Sequence, residues 1–346
     1  MVTIVFNALV AAIDLAVVWG VRGAPTLRGL RWLVGGLIVT LVLAALLGED
    51  PFGSARLAAY AVFVHAPVVL LTVALATQSA GLAVRSAAFV SALALAAVGV
   101  DAFFVEPRAL EVTHIRLTLA HATRPVRIVL VADLQFDEFG DYERAVLRRT
   151  VDARPDLVVF AGDYIQTHDG ARRRRLQAVF RAYLREIRFA PRIGAVAVSG
   201  NVDPEGWPSM FRELPVVTLP DGGEVTFGDV HVTALSLLGS FERDTRIAPH
   251  AGLHVVVGHA PDYALGDVDA DLLLAGHTHG GQVRLPFVGP LVTLSHVPDA
   301  WAAGATRLAR GRWLVVSRGV GMERGYAPRL RFLCRPELVV IDVAPR

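Results

Sequence analysis

Six residues of types that bind metal ions lie after residue 105 of the 346-residue chain, each at or shortly after the end of a short apolar run. They are Asp133, Asp163, Asn201, His259, His277 and His279. The apolar runs have the length and composition of buried strands, and ligand sites gather at the carboxyl ends of strands in α/β sheets. A glycine directly precedes four of the six, which permits a sharp turn and a close backbone approach. The pattern therefore predicts one shared site.

The residue types indicate which chemistry such a site performs. Two metal ions about 3.5–4 Å apart can hold a phosphoryl group, activate a water and neutralise developing charge. This requires carboxylates, one of them bridging, together with imidazoles and a neutral carbonyl donor such as Asn. The segment His277-Thr278-His279 places two imidazoles within three residues, which suits two neighbouring ions. A single Gly-Asp or Gly-His pair is usually a turn or a strand end, but five such elements in order favour a site.

The same elements resemble the ordered signature of calcineurin-like metallophosphoesterases. They are Asp133-Leu134-Gln135, Gly162-Asp163, Gly200-Asn201, Gly258-His259 and Gly276-His277-Thr278-His279. The longer segments 276–286, 317–325 and 335–343 are similar to the bacterial membrane-anchored branch, which includes relatives of the UDP-2,3-diacylglucosamine pyrophosphohydrolases of lipid A synthesis. The resemblance covers about residues 106–346. It implies a hydrolase of phosphoric ester or pyrophosphate bonds, with a two-sheet αββα sandwich and two divalent metal ions.

The resemblance also implies a role for each matching residue. Asp133 and His279 hold the first metal, with Gln135 as a further ligand, and Asp163 bridges the two ions. Asn201, His259 and His277 hold the second metal. Asp163, Asn201 and His277 are therefore the expected catalytic residues. By the same resemblance, His296 and Arg318 lie in segments similar to substrate-side loops and are candidates for substrate binding.

Two positions depart from the family pattern. Gln135 stands where the family usually has histidine, and an amide oxygen is a weaker ligand than imidazole for late transition metals. We therefore expect Mn²⁺ to be favoured, with Fe, Zn or Mg as alternatives. Val202 stands where the family usually places a histidine beside the leaving group, although similar members also carry another residue there. His168, in a loop, is expected to be exposed, and Asp203 either supports the ligands or is a turn residue.

The charges are unevenly distributed along the chain. Five Arg and four acidic residues precede Glu106, whereas 29 Arg and 28 acidic residues follow from it, and the chain contains no Lys. The apolar runs 32–48, 57–84 and 86–105 approach the roughly 20 residues that cross a bilayer, and 2–21 is a fourth candidate. We therefore predict a transmembrane helical anchor of about four spans at 1–105 and a metallophosphoesterase domain at 106–346.

Within the second domain, strands and helices alternate at first and strands then dominate. Amphipathic helices are predicted at 142–153 and 171–188, and further strands at 224–228, 230–237, 312–317 and 337–343. This order predicts an α/β domain with two stacked sheets flanked by helices. The single cysteine, Cys334, excludes an intrachain disulfide.

The anchor predicts a multi-pass protein of the cell (inner) membrane, with the lipid bilayer and a phosphorylated, lipid-linked small molecule as partners. Arg counts in the short loops place the catalytic domain outside, but including Arg108, Arg116 and Arg124 ties the count, so both sides stay open. The net charge near zero after residue 105 gives no support for nucleic-acid binding. The alternative function is a catalytically weakened sensor that binds metal or nucleotide, which Gln135 and Val202 favour.

Overall fold

The computed structural model of the protein describes residues 1–22, 24, 26–76, 81–325 and 327–346. These residues form two compact units. The first contains Met1–Val105 and Glu323–Arg329, and the second contains Glu106–Met322 and Leu330–Arg346.

The first unit is helical. Its helices are α1 (Val2–Val21), α2 (Thr26–Leu47), α3 (Pro51–Tyr60), α4 (Ala66–Ala76) and α5 (Leu82–Val100). A π-helical turn at Ala61–His65 joins α3 to α4, and a second at Asp101–Val105 extends α5. Among the described residues, four helical segments are long and apolar enough to cross a membrane, namely Val2–Val21, Leu27–Leu47, Pro51–Leu75 and Leu82–Arg108. The predicted four apolar segments are thereby confirmed. Residues 77–80 of the predicted span 57–84 lie outside the described residues.

Polar side chains within these apolar helices contact one another. Nδ1 of His65 lies 2.7 Å from Oδ2 of Asp14, and its Nε2 lies 2.9 Å from Oδ1 of Asn7. The amide of Asn7 in turn donates to the carbonyl oxygen of Thr3 at 2.7 Å. Since polar groups are costly in an apolar environment unless they are paired, this cluster accounts for the two ionisable residues in structural terms.

The described residues of the second unit form two six-stranded sheets and two short two-stranded sheets, one parallel and one antiparallel. Its strands are β1 (Glu111–Leu119), β2 (Val126–Val131), β3 (Leu157–Phe160), β4 (Gly194–Val198), β5 (Val217–Leu219), β6 (Gly223–Phe227), β7 (Val230–Ala234), β8 (Arg246–Ile247), β9 (Leu253–Val257), β10 (Asp267–Val268), β11 (Leu272–Ala275), β12 (Arg284–Leu285), β13 (Gly289–Pro290), β14 (Gly304–Arg307), β15 (Trp313–Val316) and β16 (Glu337–Pro345). Its helices are α6 (Asp141–Asp152), α7 (Gly170–Glu186) and α8 (Leu237–Phe241).

Sheet I has the order β1-β16-β2-β3-β4-β5, and sheet II has the order β14-β15-β11-β9-β7-β6. In sheet I, β2 to β5 run parallel, and β16 lies antiparallel to β2. In sheet II, β15, β11, β9 and β7 run parallel, with antiparallel strands at both edges. Parallel strands place their carboxyl ends at the same edge of a sheet, which is where ligand-binding loops are found.

The two sheets pack face to face around a buried apolar core. Alternate residues of β2, such as Ile128 and Leu130, point into this core, while Val129 and Val131 pack beneath α6 and α7. Burial on both faces explains why the strand sequences are continuously apolar. Over sheet II, the outer layer consists of short elements such as the 3₁₀ turn Asp262–Leu265. The two-sheet α/β fold is confirmed, with a thinner helical layer on sheet II than on sheet I.

Candidate metal centre

The predicted ligands follow the carboxyl ends of parallel strands from both sheets. Asp133, Asp163 and Asn201 follow β2, β3 and β4 of sheet I. His259 follows β9 of sheet II, and the segment 276–279 follows β11. Backbone hydrogen bonds fix neighbouring strand ends together: the Asp133 N–H donates to the carbonyl of Gly162 at 3.1 Å. The site therefore lies at the shared edge of the sandwich.

Three of the predicted ligands form a buried nucleus. One ligand atom from each of Asp133, Asp163 and His259 lies within 4.8 Å of the other two. Nε2 of His259 lies 3.5 Å from Oδ2 of Asp163, and Nε2 of His279 lies 3.7 Å from Oδ1 of Asp133. All four side chains are buried. Donors that converge at these distances fit a cation shared among them.

Two further predicted ligands, Asn201 and His277, lie at the solvent-facing side of this nucleus. Oδ1 of Asn201 lies 2.8 Å from Nε2 of His259 and 3.0 Å from Nδ1 of His277. The two imidazole rings are 5.0 Å apart between centroids. Asn201 is exposed and His277 is half-buried, so this part of the centre is open to a substrate.

Asp163 is held by the two residues that depart from the family pattern. Nε2 of Gln135 donates to Oδ2 of Asp163 at 2.9 Å, and the backbone N–H of Val202 donates to Oδ1 at 2.9 Å. Gln135 thus positions the carboxylate through its nitrogen, and its service as a metal ligand stays a prediction. Each oxygen of Asp163 has a separate donor, which fixes the orientation of the carboxylate.

The backbone at the centre adopts conformations that are rare for side-chain-bearing residues. Five of the predicted ligands have positive φ angles: Asp133 (53°), Gln135 (37°), Asp163 (58°), His277 (68°) and His279 (49°). Each such residue costs of order 1–3 kcal/mol and persists only when its surroundings hold it in place. Concentration of this strain at the converging side chains is typical of a functional site.

Two glycines permit the close approach of these elements. A Cβ at Gly200 would lie 2.1 Å from Oδ1 of Asp163, and one at Gly276 would lie 2.6 Å from Oδ2 of Asp133. Real Cβ atoms do not approach other atoms so closely. The glycine that precedes each of these strand-end ligands is therefore required by packing.

The electrostatics of the centre fit divalent cations. Burial, followed by the nearby Asp163 carboxylate, raises the pKa of Asp133 well above its ordinary value. Burial lowers the pKa of His259 to about 4, and burial together with the charge of Arg331 lowers the pKa of His279. Adjacent carboxylates that lack a neutralising cation are costly, and neutral imidazoles present lone pairs for coordination. The oxygen and nitrogen donor set therefore fits divalent metal ions.

Asp203 fixes the ends of β3 and β4. Its Oδ2 accepts hydrogen bonds from the backbone N–H groups of Asp163 at 2.7 Å and Gly200 at 2.8 Å. Its Oδ1 accepts a third from the N–H of Tyr164 at 2.9 Å. Burial and the Asp163 charge raise the pKa of Asp203 to about 8. Of the two roles considered for this residue, the geometry favours support of the ligands.

The two predicted substrate-binding residues have different surroundings. The side chain of His296 is 66% exposed, and its Nδ1 lies 2.8 Å from Oδ1 of buried Asp262. Nη2 of Arg318 donates to Glu111 Oε2 and Glu337 Oε1, each at 3.0 Å. Since two carboxylates already bind this guanidinium, the geometry favours a structural role for Arg318. His168 is exposed, as expected.

Sequence reasoning missed Arg331, which is fully buried beside the centre. Its guanidinium donates to the carbonyl oxygens of Arg318 at 2.8 Å and Gly319 at 3.2 Å, and Nη2 lies 3.4 Å from Nδ1 of His279. The segment 318–321, whose carbonyl oxygens accept from Arg331, also contacts the predicted metal ligand Asp133. The Gly321 N–H donates to the carbonyl oxygen of Asp133 at 2.7 Å. Arg318 and Gly319 precede Arg331 by 13 and 12 residues and His279 by 52, and the only signal in the sequence was an isolated Arg between apolar residues.

Residues 126–281 match the family model of the calcineurin-like phosphoesterases. This range includes all seven predicted metal ligands, Gln135 among them. The uncharacterized metallophosphoesterase YkuE of Bacillus subtilis is 28% identical over 265 residues, which cover 69% of this chain and 87% of YkuE. The phosphodiesterase YaeI of Escherichia coli is 28% identical over 237 residues, which cover 63% of this chain and 82% of YaeI. The chain therefore carries a calcineurin-like metallophosphoesterase domain. It is a hydrolase of phosphoric ester bonds, of a class that binds divalent metal ions.

Proposed function

We propose that this protein is a membrane-anchored, metal-dependent phosphoesterase that cleaves a phosphodiester or pyrophosphate bond in a lipid-linked substrate. The convergence of Asp133, Asp163 and His259 within 4.8 Å carries the metal dependence. The four apolar helices support anchorage in the cell membrane, and the similarity to the phosphodiesterase YaeI of E. coli supports a phosphodiester bond. UDP-2,3-diacylglucosamine is the most specific candidate for the substrate, with either side of the membrane open.

In this proposal each ligand has a stated role. Asp133, Gln135 and His279 would hold the first ion, Asn201, His259 and His277 would hold the second, and Asp163 would serve both. Mn²⁺ is favoured because Gln135 supplies a hard amide oxygen in place of imidazole. When bound, two divalent ions polarise the phosphoryl oxygens and lower the pKa of the attacking water.

The protein side chains bind and orient the substrate. Asn201 and His277 border the solvent-facing side, so a phosphoryl group enters past them. The N–H of Val202 and the amide of Gln135 keep the Asp163 carboxylate oriented. His296, oriented by Asp262, is the exposed imidazole that we assign to the substrate side.

The proposal is tested with the full chain purified in detergent and loaded with Mn²⁺. The substrates are aryl phosphomonoesters, aryl phosphodiesters, UDP-glucose and UDP-2,3-diacylglucosamine. We expect turnover of the diesters or pyrophosphates that exceeds turnover of the monoesters, and loss of that turnover in Asn201→Ala. Tight Mn²⁺ binding without hydrolysis of any substrate would contradict the proposal and support the sensor alternative, which the departures at Gln135 and Val202 favour.

A further inference from the structure

An exposed apolar segment lies beside the candidate metal centre. It comprises Leu285–Leu294, called here the apolar hairpin, in which β12 and β13 pair antiparallel. Phe287 lies between the two strands and is completely exposed, and Val288, Leu291, Val292 and Leu294 are each at least half exposed. Soluble surfaces rarely carry so many adjacent exposed apolar side chains unless the surface binds something.

The apolar hairpin is joined directly to a predicted ligand. The carbonyl oxygen of Leu294 lies 3.1 Å from Nε2 of His277. On another side of His277, the ring of Phe241 packs edge-on at 4.9 Å between centroids. Phe241 belongs to α8, which exposes Leu238. Apolar side chains from two elements therefore adjoin the part of the centre that a substrate reaches first.

The composition of the segment favours a lipid surface over a protein partner. Between Val283 and Pro298 the only Arg or acidic residue is Arg284, and the segment has no carboxylate that would repel anionic headgroups. Exposed aromatic and aliphatic side chains beside a basic residue are typical of surfaces that lie in the headgroup region of a bilayer.

The apolar helices of the same chain place a bilayer close to the second unit. Its helical segments are apolar enough to span a membrane, and the last π-helical turn ends at Val105. Strand β1 begins at Glu111, so residues 106–110 connect the last helix to the first strand of the second unit. Five residues extend over at most about 18 Å. The second unit therefore remains tethered to any membrane that the helices span.

We propose that the apolar hairpin inserts into the headgroup region of the bilayer and presents the metal centre to phosphoryl groups of membrane lipids. This inference rests on the bilayer anchorage in the proposed function, and it narrows the substrate to amphiphiles whose phosphoryl group lies at the membrane surface. The hairpin then stays among the lipid headgroups while the phosphoryl group of one lipid lies against Asn201 and His277.

The test uses the full chain reconstituted in phosphatidylcholine–phosphatidylglycerol vesicles, with an environment-sensitive fluorophore on single introduced cysteines. The native Cys334 is buried and burial raises the pKa of its thiol, so it contributes little labelling. The test label is at Phe287→Cys, and Leu93→Cys in α5 is the label inside the bilayer. Asp152→Cys, exposed at the end of α6 and before β3, marks the edge of sheet I opposite the centre.

We expect nitroxide lipids labelled near the headgroup to quench the Phe287→Cys fluorophore strongly and the Asp152→Cys fluorophore weakly. Deep nitroxides should quench Leu93→Cys. Adding Val288→Asp and Leu291→Asp should abolish quenching at the hairpin, whereas adding Val288→Leu should preserve it. Equal, weak quenching at Phe287→Cys and Asp152→Cys with strong quenching at Leu93→Cys would overturn the proposal.

Two other outcomes separate this inference from the proposed function. Absence of quenching at Leu93→Cys would overturn both bilayer anchorage and hairpin insertion. Strong quenching at Phe287→Cys in a protein that hydrolyses none of the substrates would support insertion while contradicting the phosphoesterase proposal.

Discussion

At the scale of single residues, Asp163 joins both positions that depart from the family pattern to two other predicted ligands. Its carboxylate contacts Gln135, Val202 and His259, and it lies beside Asp133 in a buried environment. Its backbone is held in a left-handed conformation by the carboxylate of Asp203. A buried carboxylate that is strained and close to a second one is costly unless a cation compensates it.

The residue at position 135 sets the affinity of the first metal site. Imidazole is a better ligand than an amide oxygen for late transition metals, so Gln135→His should tighten binding of one ion, and of Zn²⁺ more than Mn²⁺. Isothermal titration of the metal-free full chain with each ion measures this. Gln135→Met, which keeps the side-chain length, is the matched control. Two equally tight sites in the wild type, unchanged in Gln135→His, would show this account of Gln135 to be wrong.

The residue at position 202 sets the dependence on the leaving group. Valine has no proton to give, and a positioned general acid typically contributes about 10²–10⁴-fold. The leaving group of an aryl ester is a phenolate and that of a pyrophosphate is a phosphate, and both are stable anions. The wild type should therefore cleave these substrates much faster than alkyl esters. Val202→His should raise kcat/KM for alkyl esters selectively, because it supplies the missing imidazole.

The contrary result for this prediction concerns other histidines. If the wild type cleaves alkyl and aryl esters with equal kcat/KM, another group provides the proton. Loss of the alkyl activity in His168→Ala would assign that proton to His168. Loss in His296→Gln instead would assign it to the imidazole that Asp262 orients.

At the scale of secondary-structure elements, the site could be predicted because the sequence shows where the buried strands end. The buried strands β2, β3, β4, β9 and β11 are apolar on both faces, so their ends and the glycines and ligands behind them stand out. The edge strand β1 was missed because its residues alternate between exposed and partly buried positions and include His114 and Arg116. The contacts of Asp262 were missed because its partners Ser295 and His296 lie 33 and 34 residues away. Those of Arg331 were missed because most of its partners are backbone carbonyl oxygens, which no side-chain pattern marks.

An ion pair joins a turn of one sheet to a turn of the other, and its contribution to the stability of the fold can be tested. Arg124 precedes β2, and Asp229 lies between β6 and β7, with Nε and Oδ1 3.0 Å apart. The bonds from Arg124 and Thr123 lower the pKa of Asp229 from 3.8 to about 2. Because the pKa of Asp229 is lower in the folded state than in the unfolded state, the ion pair stabilises the fold at pH values above the unfolded-state pKa. This contribution is lost as the pH falls from about 4 to about 2.

Asp229→Asn should therefore destabilise the second unit at neutral pH by about 1 kcal/mol, allowing for the partial exposure of the pair. The thermal unfolding midpoint in detergent, measured at pH 7 and near pH 2, checks this. The difference from wild type should shrink at the lower pH. Asp152→Asn, exposed at the end of α6, is the control. A difference that is the same at both pH values would contradict the linkage.

At the scale of the whole molecule, the uneven charge distribution predicted a helical segment and an α/β segment, and both are present. The sequence did not reveal the apolar hairpin, because a short run such as Leu285–Leu294 has the same composition as a buried strand. Only the exposure of its side chains distinguishes a surface from a core element. Apolar helices and an apolar surface beside the centre are both features expected of an enzyme that acts at a bilayer.

The number of metal ions bound to the full chain decides whether the converging side chains form a two-metal hydrolytic centre. Elemental analysis after Mn²⁺ loading and desalting, with hydrolysis of bis(p-nitrophenyl) phosphate assayed on the same samples, measures occupancy and turnover together. We predict that the wild type binds two ions per chain and hydrolyses the substrate. Asp163→Asn should bind fewer ions and lose hydrolysis, whereas Asp152→Asn should retain both. Undiminished metal content and hydrolysis in Asp163→Asn would contradict a centre built on this carboxylate.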